Sequence, residues 1–163
     1  MTHKTKHGRD GFTLVELMVT VAILSILLTL AVPTMRSIIA NSYASGISNE
    51  FVAALNYARS EAVKRRTDIV MCTSSNGSSC RSDGNASKWH LGWVILNGAQ
   101  VMRASAQLDG GATLTGTNSI TYGSTGSAPA NTFQLRLTHC TGNNNRDVTI
   151  GVTGRVGVSR VAC

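Results

Sequence analysis

Few side chains in this 163-residue chain are placed to do covalent chemistry. The four histidines, His3, His7, His90 and His139, stand in unrelated contexts, with no P-loop, G-x-S-x-G elbow or H-E-x-x-H helix beside them. His90 and His139 fall in runs that read as strands, so no enzymatic activity is expected and no cofactor is implied. The four cysteines are Cys72, Cys80, Cys140 and Cys163. Cys72, Cys80 and His90 lack the short C-x2-C spacing of a structural zinc site, so no metal is expected. An even number of cysteines in an exported domain favours disulfides. Three pairings are open, and the sequence-local one, Cys72–Cys80 with Cys140–Cys163, is the expectation. Glu16 is the only ionisable side chain between Phe12 and Val32. An unpaired acid in lipid costs several kcal/mol and usually marks function; the alternative is an anion settled by the dipole of a first helical turn.

The other candidate groups are cations. Fifteen Lys and Arg against eight Asp and Glu give a formal charge of +7. Residues 1–11 carry Lys4, Lys6, Arg9 and Asp10, a net +2, which leaves +5, or +6 without Glu16. A basic surface favours anionic partners such as nucleic acid, lipid headgroups or acidic proteins. Arg146, Arg155 and Arg160 lie close together near the C-terminus, on what reads as a hairpin from Asp147 to Val161. They are candidate phosphate contacts; the plainer reading is solvating charge on an edge strand.

These residues need elements to position them. As a helix, Phe12 to Val32 would span roughly 30 Å, one bilayer core. Basic residues precede the run, and beyond it Arg36 stands alone until Arg59, so the N-terminus is expected in the cytoplasm and the bulk of the chain outside it. The run is too long for the apolar core of a cleaved secretory signal. Pro33 removes a helical hydrogen bond and should kink the helix. Helical patterning then continues to about Arg66, with Ile47, Phe51, Leu55, Ala58 and Ala62 on one stripe and Lys64, Arg65 and Arg66 closing the last turn. Glu61 stands four residues before Arg65. From Thr67 onward, short β-like runs alternate with turn residues: 67–73, 89–97, 99–105, 118–123, 132–139, 147–153 and 155–161, with Asn97-Gly98 as a hairpin signal. The stretches 74–88 and 141–146 read as exposed polar loops. The expected fold class is α+β, a long N-terminal helix whose second half packs on an antiparallel β-sheet.

The stretch Gly11-Phe12-Thr-Leu-Val-Glu16-Leu resembles the start of type IV pilins, including the pseudopilins of type II secretion. That resemblance implies cleavage by a prepilin peptidase between Gly11 and Phe12, and methylation of the new Phe12 amine. It further implies that Glu16 pairs with the Phe12 amine of a neighbouring subunit, and that the helix can bend or melt near Pro33. Four regions follow: a leader at 1–11, a membrane and assembly helix at 12–33, the amphipathic rest of the stem at 34–66, and a β-rich domain at 67–163. The segment Ala54 to Val63, with Ala-Arg-Ser-Glu-Ala at 58–62, looks like the GspH/FimT group of minor pilins. The resemblance implies major and minor pilins as partners through the helix, an inner-membrane anchor with a periplasmic domain, and assembly into an extracellular pilus. Some members bind DNA for natural transformation through a C-terminal G-R-x-R motif. Its counterpart here is Gly154, Arg155, Val156 and Gly157, where glycine replaces the second arginine and the next cation is Arg160. A structural pseudopilin of type II secretion is the alternative.

Overall fold

The computed structural model describes residues 11–83, 87–108 and 111–163, and only the backbone of residues 30–34. The basic residues of the expected leader and the side chain of Pro33 lie outside that description. One helix, α1 (Leu14–Arg65), is followed by β1 (Ile69–Thr73), a 3-10 turn (Trp89–Leu91), β2 (Trp93–Asn97), β3 (Gln100–Ser105), β4 (Ala112–Thr115), β5 (Ser119–Tyr122), β6 (Asn131–Leu137), β7 (Asn145–Ile150) and β8 (Val156–Val161). The chain divides into two units, Met1–Arg36 and Ser37–Cys163.

In the first unit Thr13 caps α1: its Oγ1 accepts the Glu16 N–H at 3.2 Å, so Thr13 and Glu16 supply half of a capping box. The hydroxyls of Thr20, Ser25 and Thr29 donate to the carbonyls of Leu17, Ala22 and Ile26 at 2.7–2.8 Å. Each satisfies its own polar atom within the helix, which lets an apolar stretch carry hydroxyls at low cost. Among the described residues no helix is long and apolar enough to cross a membrane.

In the second unit the predicted stripe is the buried one: Ile47, Phe51, Leu55, Ala58 and Ala62 all lie in the core. The alanines at 44, 54, 58 and 62 are fully buried and let the helix approach the strands closely. α1 ends with Arg66 left-handed (φ 53°) and Thr67 N–H donating to the Ala62 carbonyl at 3.3 Å, a Schellman closure made with an arginine instead of the usual glycine.

The strands form two antiparallel sheets, β3-β2-β1-β5 and β4-β6-β7-β8, where the sequence reading has one. They share a single core with the helix, centred on Phe51, Trp89 and Phe133, whose rings meet edge to face at centroid distances of 5.0–5.5 Å. Sequence reasoning misses β4, a four-residue strand with only two buried side chains. The run 89–97 is also two elements, because Gly92 at φ 110° breaks it and an added Cβ there would press on the Ser74 and Ser105 carbonyls. Neither expected strand histidine is in a strand. His90 sits in the 3-10 turn with Nδ1 3.3 Å from the Leu114 amide, and His139 sits in the turn after β6.

Candidate functional site

Two regions carry the candidate residues. At the N-terminal end, Gly11 and Phe12 precede α1, and Phe12 is 83% exposed. Leu14, Val15, Leu17, Met18, Ile23, Leu24 and Ile26 are each more than half exposed, on all sides of the helix, and Glu16 is exposed among them. Among the described residues of this unit nothing covers that apolar surface, which exceeds what a free monomer leaves in water.

At the C-terminal end, β7 and β8 form a hairpin in continuous register from Asn145↔Val161 to Ile150↔Val156. Its tip is a three-residue loop: Gly154 N donates to Gly151 O at 2.7 Å and Gly151 N to Arg155 O at 2.9 Å. Such a loop needs a left-handed third residue, and Gly154 has φ 74°. A Cβ at 154 would also collide with the Gly126 carbonyl oxygen. The glycine of the G-R-V-G segment therefore has a full structural explanation. Arg59 of α1 holds the tip, donating from Nε to Gly126 O (3.0 Å) and from Nη2 to Thr153 O (2.9 Å). Arg59 is missed by sequence reasoning, although its place between buried Ala58 and Ala62 was a signal. Beside it the Tyr122 hydroxyl is buried without a hydrogen-bond partner among the described residues; burial pushes its pKa up to about 12, against the pull of the Arg59 charge, so it stays neutral.

The three candidate arginines do not act as one patch. Arg155 at the tip and Arg160 on β8 are exposed and make no ion pair among the described residues. Arg146 is 3% exposed, which corrects its placement as a surface cation. Its Nη1 donates to the carbonyls of Asn143 and Asn145 (3.1 and 2.9 Å), and its Nη2 donates to Asn41 Oδ1 (2.5 Å) on the helix. Burial, and then the charge of Arg160 across the strand pair, hold its pKa below the ordinary arginine value.

Of the stretch 141–146, expected as an exposed loop, the first half is exposed and the second half, Asn144 to Arg146, is internal. Asn144 and Asn145 are buried; Asn145 Oδ1 accepts the Leu137 N–H at 3.0 Å, and its Nδ2 donates to Ala162 O at 3.1 Å. These polar side chains start β7 between β6 and β8 and find their hydrogen-bond partners in neighbouring backbone and in the helix, which is how a polar run can be buried.

The disulfides join Cys72 to Cys80 and Cys140 to Cys163, each with Cα atoms 5.5 Å apart. The second ties the end of β8 to the loop before β7, where Cys163 N also donates to Gly142 O at 3.0 Å. At the end of the stem, Glu61 accepts from Arg65 Nε at 2.6 Å, which with the Lys64 and Arg65 charges holds its pKa below 4.5 against the effect of burial. Among the described residues no group of three or more His, Cys, Asp or Glu is placed to hold a metal.

The family model described as type II transport protein GspH matches residues 48–154, and the prokaryotic N-terminal methylation motif matches residues 6–32. Two crystal forms of the type IV minor pilin FimU from Pseudomonas aeruginosa share the fold, each with a TM-score of 0.55 and 22% identity over 72% of this chain and 86% or 90% of theirs. No curated protein matches.

Proposed function

The chain belongs to the GspH family and carries the prokaryotic N-terminal methylation motif, and from that premise we propose that it is a minor type IV pilin that copolymerises through its stem and initiates or caps a pilus. In this reading residues 1–11 are removed by a prepilin peptidase and Phe12 is methylated. Residues 12–33 anchor the chain in the inner membrane, N-terminus inside and domain in the periplasm, before assembly among major and minor pilins. The observation that carries the reading is the apolar surface from Phe12 to Leu28, exposed on every side of α1. Lipid covers such a surface before assembly and neighbouring stems cover it afterwards. Glu16 is the one charge in that surface; its partner in the reading is the Phe12 amine of the next subunit, and a bend near Pro33 belongs to the same step.

The test is the amount of the chain in sheared pili, compared with the membrane fraction. Glu16→Ala should leave the folded domain intact while lowering incorporation; normal incorporation removes the pairing role. The description of the matched family favours a second reading, a type II secretion pseudopilin. Absence from pili, with loss of secretion on deletion, would select it.

The finer part of the reading is DNA contact for natural transformation. Arg155 and Arg160 are its candidates, held on an ordered hairpin with Gly154 shaping the turn; Arg146, being buried, is not. Two phosphate contacts predict weak, sequence-independent binding with a salt slope of about −1.8 on duplex DNA. Titration at two salt concentrations tests this, with Arg155→Gln, Arg160→Gln expected to lose the binding. An unchanged affinity would remove the site.

A further inference from the structure

The second sheet ends on a strand that its own core leaves unfinished. Among the described residues β8 is an edge, paired only with β7, and its Val156, Val158 and Arg160 stand directly opposite Ile150, Val148 and Arg146. Directly opposed residues share a face, so these three side chains continue the helix-facing layer of the sheet. Their β7 partners are 2%, 0% and 3% exposed, whereas Val158 is 47% exposed and Arg160 is open to solvent. Val156 still packs against the core, so the layer stops at Val158 and Arg160.

The backbone points the same way. The Gly151–Arg155 hydrogen bond fixes the phase of the ladder. Alternation in an antiparallel pair then makes 156, 158 and 160 the non-hydrogen-bonded positions, with their N–H and C=O groups aimed away from β7 at the open edge. Of the usual protections of an edge β8 has one, the charge of Arg160; it has no proline and no lysine, and its register with β7 has no bulge. The edge is also ordered in advance, by the Cys140–Cys163 disulfide at one end and by Arg59 on Thr153 at the other. An ordered strand loses little entropy when it pairs.

We infer that β8 is an assembly edge, to which a strand of a different pilin subunit adds in the filament, laying apolar side chains beside Val156 and Val158 and a carboxylate beside Arg160. The inference rests on the pilin reading for the source of the strand, and where the edge is occupied it takes Arg160 from the DNA reading and leaves Arg155 at the tip as the phosphate contact. Charge selects a different subunit over a second copy: Val-Gly-Val-Ser-Arg-Val offers no acid to Arg160, and Arg146 beside it is already a cation without a carboxylate among the described residues.

The experiment uses the full chain in piliated cells, with Ser159 replaced by p-benzoylphenylalanine and sheared pili irradiated. A crosslink from position 159 to an extended segment of another pilin, mapped by mass spectrometry, is expected. Val158→Pro removes an outward N–H and none from the β7 ladder; with the Cys140–Cys163 disulfide formed, it should lower incorporation into pili about tenfold. Val158→Lys keeps the N–H but charges the apolar face, should act in the same direction, and decides the matter if the proline variant does not fold. Crosslinks only to a second copy, no crosslink from a chain that is present in pili, or normal incorporation of a folded Val158 variant would overturn the assembly edge alone. A wild-type chain absent from pili would overturn the pilin reading and the edge with it.

Discussion

Arg146 and Arg155 sit at the two ends of one hairpin, and the same guanidinium has opposite consequences in the two places. At the base, Arg146 is buried and saturated by neutral oxygens from Asn41, Asn143 and Asn145, so its donors tie β7 to the helix. At the tip, Arg155 is exposed and follows a turn held rigid by Gly154 and Arg59. No carboxylate meets either one among the described residues. The difference shows that a short cluster of cations in a sequence is not yet a patch: strand register decides which of them faces inward and becomes part of the fold, and which keeps its charge available to a partner.

The most severe way to break this comparison is Arg146→Ala, which strips a buried network and leaves several acceptors unpaired. It should cost about 3 kcal/mol in urea unfolding, and Arg146→Lys should recover little because it lacks the planar fork. Replacing Cys140 and Cys163 with alanine loosens the base by another route. Its expected cost is about 3 kcal/mol in the chain-entropy model, with a DNA affinity that falls less than the stability does. At the tip, Gly154→Ala forces a Cβ onto a left-handed residue against Gly126 and should cost about 2 kcal/mol. Arg155→Gln should move stability by less than about 0.5 kcal/mol while weakening DNA binding. If it destabilises as much as Arg146→Ala, the division between base and tip is wrong.

The smallest effect lies in the stem. Because Glu61 has a lower pKa folded than unfolded, its contribution is complete above about 4.5 and is lost as pH falls below that value. The melting temperature of Glu61→Gln should therefore fall below that of the wild type at pH 7, and the gap should close toward pH 3. A gap that stays constant with pH would remove the ionic part of the Glu61–Arg65 contact.

How much could be read from the sequence follows from how each element is stabilised. The stem stripe from Ile47 to Ala62 was legible because burial repeats at helical spacing, and the hairpin joining β2 to β3 was legible from Asn97-Gly98, although Asn97 pairs with Gln100 and the two loop residues are Gly98 and Ala99. The strand β4 was not legible, since Ala-Thr-Leu-Thr alternates over too few residues and is placed by β6 and the Trp89 turn. Residues 144–146 misled in the other direction: two asparagines and an arginine look solvated, and only the tertiary fold brings Ser37, Asn41, Leu137 and Ala162 within reach of them. For the candidate site, hydrophobicity marked the stem and residue spacing brought the arginines to one hairpin. The inward turn of Arg146 and the exposed face of β8 depend on cross-strand register, which the separate runs do not specify.

The central claim is that this chain is processed and assembled as a pilin, and mass spectrometry of the protein extracted from membranes tests it most directly. The account predicts a chain that begins at Phe12, lacking residues 1–11 and heavier by one methyl group, with Gly11→Ala blocking the cut. An intact N-terminus, or a cut near Pro33, would contradict it.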